Sequence, residues 1–197
     1  MKSEAAIKHI LKRLENELPS NLIYHAIDHT RYVMDVAKVI GQEEGIGEHD
    51  MALLLTAAAY HDVGFTKGYS GHEEVGCTIA EQELKQFEYS EEDILIIQNM
   101  ILATKVPQVA HTHLEKILCD ADLEYLGGED YERISRGLFE ELNLNGFSLD
   151  EDQWLDLQIN FLQEHHYWTT FCLNKKQERK QRTLRALIEL REKKNSD

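Results

Sequence analysis

The stretch Met51-Ala52-Leu53-Leu54-Leu55-Thr56-Ala57-Ala58-Ala59-Tyr60-His61-Asp62-Val63-Gly64 decides how the rest of the chain is read. Up to Tyr60 it is apolar nearly all round. A helix without a polar face belongs at the centre of a fold. It ends in a histidine beside an aspartate, and a glycine follows two residues later. A neutral imidazole nitrogen and a carboxylate oxygen are good ligands for a borderline or hard divalent cation. Where a helix ends, both side chains can turn toward one point instead of spreading around the axis. Such a dipeptide is common by chance, so its meaning depends on what surrounds it.

Toward the N-terminus, Ile7, Ile10, Leu11, Leu14 and Leu18 follow helical spacing, and Pro19-Ser20-Asn21 stops that helix. Tyr32, Val33, Val36, Ala37, Val39 and Ile40 mark a second helix. His25 and His29 precede this stripe, and if both are helical they project from one face. The apolar stretch itself predicts a helix over residues 48–60.

Toward the C-terminus, residues 64–71 hold three glycines and read as a loop. Residues 72–87 read as a helix, and Ser90 caps another. Residues 104–112 contain Pro107 and read as a loop. A helix is expected over residues 113–126, ended by Gly127-Gly128. On it, Asp122 borders the apolar face of Ile117, Leu118, Ala121 and Tyr125, whereas Asp120 points elsewhere, closer to Lys116 and Glu124. An acid at the edge of an apolar stripe needs a partner if buried, and a metal would supply one. Tyr131, Ile134, Leu138 and Leu142 mark a further helix. Ser148-Leu149-Asp150-Glu151 reads as a capping box for the next, which carries Trp154 to His165, with a break near Asn174. Leu184, Leu187 and Ile188 form the last stripe, and the polar tail after residue 192 is expected to fray. No alternating strand pattern occurs. The expectation is an all-α single domain, residues 1–197, built as a bundle of roughly seven to nine helices.

Lys and Arg number 21 against 36 Asp and Glu, for a net charge of −15. That balance argues against nucleic acid and anionic membranes as partners. A small phosphate ester remains compatible, because a bound divalent cation reverses the local field. The three cysteines, Cys77, Cys119 and Cys172, are too scattered for a disulfide framework or a CxxC site. They suggest a reduced, cytoplasmic setting. The charged, amphipathic N-terminus does not read as a signal peptide, and no stretch reaches the length of a membrane span. Oligomeric state is not legible in these stripes.

Four segments, YHAIDHT, YHDVGF, GHEEVG and DADLEYLG, occur in order from Tyr24 to Gly127. Together they resemble the H…HD…D signature of the HD-domain metal-dependent phosphohydrolases. The resemblance implies an HD core over about residues 21–128 of a phosphodiesterase-like helical bundle, with the N-terminal and C-terminal helices packed on it. It implies that His29, His61, Asp62 and Asp122 bind one divalent metal. Mn, Fe, Ni, Co, Zn and, less well, Mg suit that donor set. A second, weaker ion would use histidines after the HD pair. His72 is suitably placed, but no later histidine stands where it is needed, since His111 and His113 are spaced wrongly.

The start of the first segment also resembles cyclic-nucleotide phosphodiesterases, although Ala26 stands where those enzymes usually carry Asn. That resemblance implies His25 as the acid for the leaving oxygen. Asp62 would ligate the metal and orient a metal-activated water. Lys67, His72 and Lys105 are candidate phosphate contacts, whereas Arg31 leaves the opposite side of the helix from His29. His165 reads as core. The expected function is hydrolysis of a small phosphate ester, with a nucleotide as one candidate. The alternatives are a phosphodiesterase acting on a cyclic or linear nucleotide diester, a non-catalytic nucleotide-sensing module, and a helical scaffold.

Overall fold

A computed structural model describes residues 1–196. They form α1 (Ser3–Glu17), α2 (Ile27–Glu43), α3 (Glu48–Tyr60), α4 (His72–Leu84), α5 (Glu91–Ala103), α6 (His113–Asp122), α7 (Tyr131–Leu144), α8 (Glu151–Glu164), α9 (Thr170–Lys175) and α10 (Gln177–Ser196). No strand occurs among the described residues, and no helix among them is long and apolar enough to cross a membrane. Ten helices exceed the expected seven to nine, because the C-terminal region breaks into the short α9 and the long α10.

The apolar stretch is the axis of the fold. Leu53, Leu54 and every residue from Thr56 to Tyr60 are fully buried. Helices α1, α2, α5 and α6 all pack on α3. The main core therefore runs from Ala6 on α1 through α3 to Cys172 on α9. A second cluster joins Leu126 and Tyr131 to Leu162 and Leu184. Burial of such side chains contributes about 25 cal/mol for each Å2 of apolar surface removed from water.

Four local expectations are corrected. His25 is not helical: α2 starts at Ile27, with Ala26 as its N-cap. The backbone N–H groups of Ile23, Tyr24 and His25 all donate to Glu141 Oε2, at 2.7, 2.8 and 3.0 Å, which holds this segment out of the helix. Helix α6 stops at Asp122, and a 3-10 turn spans Glu124–Gly127. The Tyr167 hydroxyl bridges the carbonyls of Leu123 and Glu124, 3.2 Å from each. The capping box of α8 lies two residues later than expected. Asp150 accepts from the N–H groups of Asp152 and Gln153, and the Gln153 side chain returns to the Asp150 N–H. Ser148 sits at a positive φ of 54° and caps nothing. Finally, α10 stays helical to Ser196 instead of fraying, tied to α8 by Arg191–Asp156 at 2.8 Å and Lys194–Asp152 at 2.6 Å.

Gly64 fixes the turn after Asp62. A Cβ there would stand 1.9 Å from the His72 carbonyl oxygen, so the 3-10 turn Val63–Thr66 and the start of α4 meet backbone to backbone. Gly64→Ala is expected to lower the unfolding free energy by about 2 kcal/mol or more, read by urea denaturation. An unchanged midpoint would mean that this contact relaxes freely.

Candidate metal centre

Three helices deliver four side chains to one point. His29 lies in the first turn of α2, His61 and Asp62 leave the end of α3, and Asp122 is the last residue of α6. His61 and Asp62 are 1% and 4% exposed. His29 Nε2 is 3.1 Å from Asp122 Oδ1 and 3.5 Å from Asp62 Oδ2. His61 Nε2 is 3.1 Å from Asp62 Oδ2 and 3.6 Å from Asp122 Oδ1. His29, His61 and Asp122 each offer a donor atom within 4.8 Å of the others. Asp62 stands just outside this tight group and joins it through its contacts to both imidazoles.

These spacings fit a metal. Around an ion with bonds of about 2.1 Å, neighbouring donors lie about 3.0 Å apart in octahedral geometry and about 3.4 Å apart in tetrahedral geometry. The hydrogen-bond pattern points the same way. His61 Nδ1 donates to the Ala58 carbonyl at 2.8 Å, which leaves Nε2 with its lone pair facing the cluster. Yet His61 Nε2 and Asp62 Oδ2 are both buried without a hydrogen-bond partner, despite their proximity. Two orphaned donors side by side in a dry site are costly unless a cation accepts them. Gln108 Nε2 donates to Asp122 Oδ2 at 3.3 Å and so helps orient that carboxylate.

The electrostatics agree. Burial alone would raise the pKa of both carboxylates. For Asp62 the His61 charge outweighs it, and for Asp122 the His29 hydrogen bond and the nearby His61 do so. Asp122 is pulled down to about 2, and Asp62 lies below the usual carboxylate range. Burial would lower the pKa of His61, but Asp62 and Asp122 raise it well above the ordinary value. A proton on His61 therefore competes with a metal, and metal uptake releases it.

His25 stands beside this cluster, its ring centroid 5.9 Å from that of His29. Its Nδ1 is hydrogen-bonded to Glu141 Oε1, which also accepts from the Tyr69 hydroxyl at 3.0 Å. Glu141 is completely buried. Burial opposes charge on His25, but the Glu141 hydrogen bond overcomes it and raises the pKa. His72 stacks on Phe65 at 3.9 Å, and its Nε2 is 3.6 Å from Asp62 Oδ1. His25, Asp62, His72 and Asp122 all line one cavity of about 590 Å3.

The remaining candidates separate. Lys105 lines the cavity, half exposed and paired with Glu74. Lys67 is not brought to it: the chain turns after Gly64, and Lys67 lies 3.6 Å from Glu17 at a different depression. Arg31 is exposed and pairs with Glu15 and Asp28. His113 is half exposed, 3.8 Å from Glu44. His165 packs between Phe161 and Tyr167 and meets Lys180 Nζ at 3.1 Å. Asp120 does not face Lys116 and Glu124. It is fully buried and accepts from the Trp168 and Thr169 N–H groups and the Thr169 hydroxyl.

Sequence reasoning missed Glu141, Gln108 and Tyr69. Glu141 had a signal. It lies three residues after Leu138, inside the apolar stripe of α7, where a charge demands a buried partner. Gln108 and Tyr69 sit in loops and carried none.

The family model described as HD domain matches residues 26–124. No curated protein and no solved structure matches the chain.

Added Mn2+ or Zn2+ is expected to raise the melting temperature of the protein, as any ligand of the folded state does. The rise should shrink as pH falls and His61 keeps its proton, and should vanish in Asp122→Ala. An equal rise in Asp122→Ala would place the ion elsewhere.

Proposed function

Because the chain belongs to the HD domain family, whose members are typically metal-dependent hydrolases, we propose that it hydrolyses a small phosphate ester at the His29, His61, Asp62 and Asp122 cluster. The observation that carries this reading is the pair of orphaned buried atoms, His61 Nε2 and Asp62 Oδ2, at coordination spacing beside an open cavity. A divalent ion held by these four residues would lower the pKa of an attacking water and polarise the phosphoryl group. His₂Asp₂ admits several first-row metals.

The protein's own groups take the other tasks. Asp62 Oδ1 faces away from His29 and His61, with only His72 Nε2 near it at 3.6 Å, and can accept a hydrogen bond from the nucleophile. His25 presents its outer nitrogen to the cavity because Glu141 occupies Nδ1. Protonated there, it gives its proton to the departing alkoxide. Tyr69 and the three backbone donors hold Glu141 in place, so the acid is set by a rigid anchor. His72, against Asp62 Oδ1, serves a non-bridging phosphate oxygen or a second, weaker ion. Lys105 reaches phosphate by leaving Glu74. The three buried, unpaired cysteines fit a reducing, cytoplasmic setting.

Turnover of 4-nitrophenyl phosphate that requires added Mn2+, Co2+ or Zn2+ tests the reading. Metal-loaded protein that hydrolyses neither monoesters nor diesters would leave a sensing module. A separate test concerns His25. An acid matters most for a poor leaving group, so His25→Ala should slow an alkyl phosphate by about 100-fold or more and 4-nitrophenyl phosphate far less. A proton donor loses activity as pH rises through its pKa. Glu141 raises that pKa, so Glu141→Gln should move the alkaline limb of the pH–rate profile to lower pH. An unmoved limb would remove His25 from the role.

A further inference from the structure

The cavity has two unlike ends. One end is the cluster with His25 and His72. The other is a chamber built by α7, α8 and the loop between them, walled by Leu138, Leu142, Phe147, Trp154, Leu157 and Phe161. Several polar groups of this chamber are already committed to one another. The Ser135 hydroxyl donates to Gln158 Oε1 at 2.6 Å, the Tyr131 hydroxyl donates to the same oxygen at 3.0 Å, and Gln158 Nε2 donates to the Trp154 carbonyl at 3.4 Å. Among the described residues, no arginine or asparagine lines the cavity. Its single lysine, Lys105, is paired at the mouth.

These facts decide what the chamber accepts. Ribose hydroxyls and the edge of a nucleobase would enter among few groups able to pair them, and each unpaired polar group costs about 1–3 kcal/mol. A polyphosphate would meet too few cations in a chain of net charge −15. Roughly 300–1,000 Å3 is the size of pocket that encloses a drug-sized organic group, and this cavity falls within that span. We propose that the substrate is a phosphomonoester of an apolar alcohol, aryl or alkyl, whose hydrocarbon part fills the chamber between α7 and α8 while its phosphate meets the cluster. This rests on the proposed hydrolase reading and names its substrate class.

Two measurements on the metal-loaded protein test it. The first compares kcat/KM for 1-naphthyl phosphate and octyl phosphate with AMP and glucose 6-phosphate. The apolar esters are expected to lead by at least about tenfold, the effect of one unpaired polar group. The second measures Kd for n-alkylphosphonates, which cannot be hydrolysed, from ethyl to octyl by calorimetry. Binding should tighten by about twofold or more for each added methylene, somewhat less than full transfer from water would give. Leu157→Glu, at a half-exposed position that the fold tolerates, should flatten the series. AMP leading the esters, or a flat phosphonate series in the wild type, would overturn the proposal. The two readings fail separately. A steep phosphonate series without turnover of any ester removes the hydrolase and keeps the apolar chamber. Turnover of esters with a flat series does the reverse.

Discussion

Ionised Asp62 and Asp122 lie in a site nearly closed to water, and carboxylates so placed are tolerated only where positive charge comes between them. His29 and His61 provide the frame for that charge. Their Nε2 atoms approach both carboxylates at 3.1–3.6 Å but leave Asp62 Oδ2 and His61 Nε2 without a true hydrogen bond. The fold keeps these groups together by anchoring them to three packed helices, His29 on α2, His61 and Asp62 at the end of α3, and Asp122 on α6. Rigid, buried elements hold ligand atoms better than loops do, and the last five residues of α3, Thr56 to Tyr60, are fully buried.

A second constraint joins the two halves of the molecule. Glu141, on α7, satisfies three backbone donors before α2 and the side chain of His25. One buried carboxylate thus terminates a helix, orients an imidazole and raises its pKa. The same α7 turns its apolar stripe to the cavity, where α8 closes the other wall. His25 and the chamber are therefore positioned by one helix–loop–helix unit. This unit lies beyond residues 26–124, so the family core carries the His29, His61, Asp62 and Asp122 cluster and the C-terminal helices wall the cavity beside it.

The all-α class and the family were legible because their signals are local or repeat at fixed spacing. Stripes such as Ile7, Ile10, Leu11 and Leu14 report one buried face, and the His61-Asp62 pair marks the end of the most apolar helix. The His25 environment was not legible, because Glu141 is 116 residues away and acts on backbone as well as side chain. The condition that His25 and His29 share one helix is not met for that reason. Lys67 illustrates the opposite limit. A lysine in a glycine-rich loop suggests phosphate, but loop direction is set by tertiary contacts, here the close approach of Gly64 to His72. Asp120 and Asp122 were separable only by face, and the segment that Asp120 serves lies 48 residues onward.

The central claim is that one divalent ion sits among His29 Nε2, His61 Nε2, Asp62 Oδ2 and Asp122 Oδ1. Anomalous diffraction from crystals of the protein purified without chelators, or soaked in Mn2+, tests it most directly. The account predicts a strong peak about 2.1 Å from all four atoms, within the usual range for such ligands. Crystals with an ordered cluster and no anomalous peak there after soaking, or a peak bound by other residues, would contradict it.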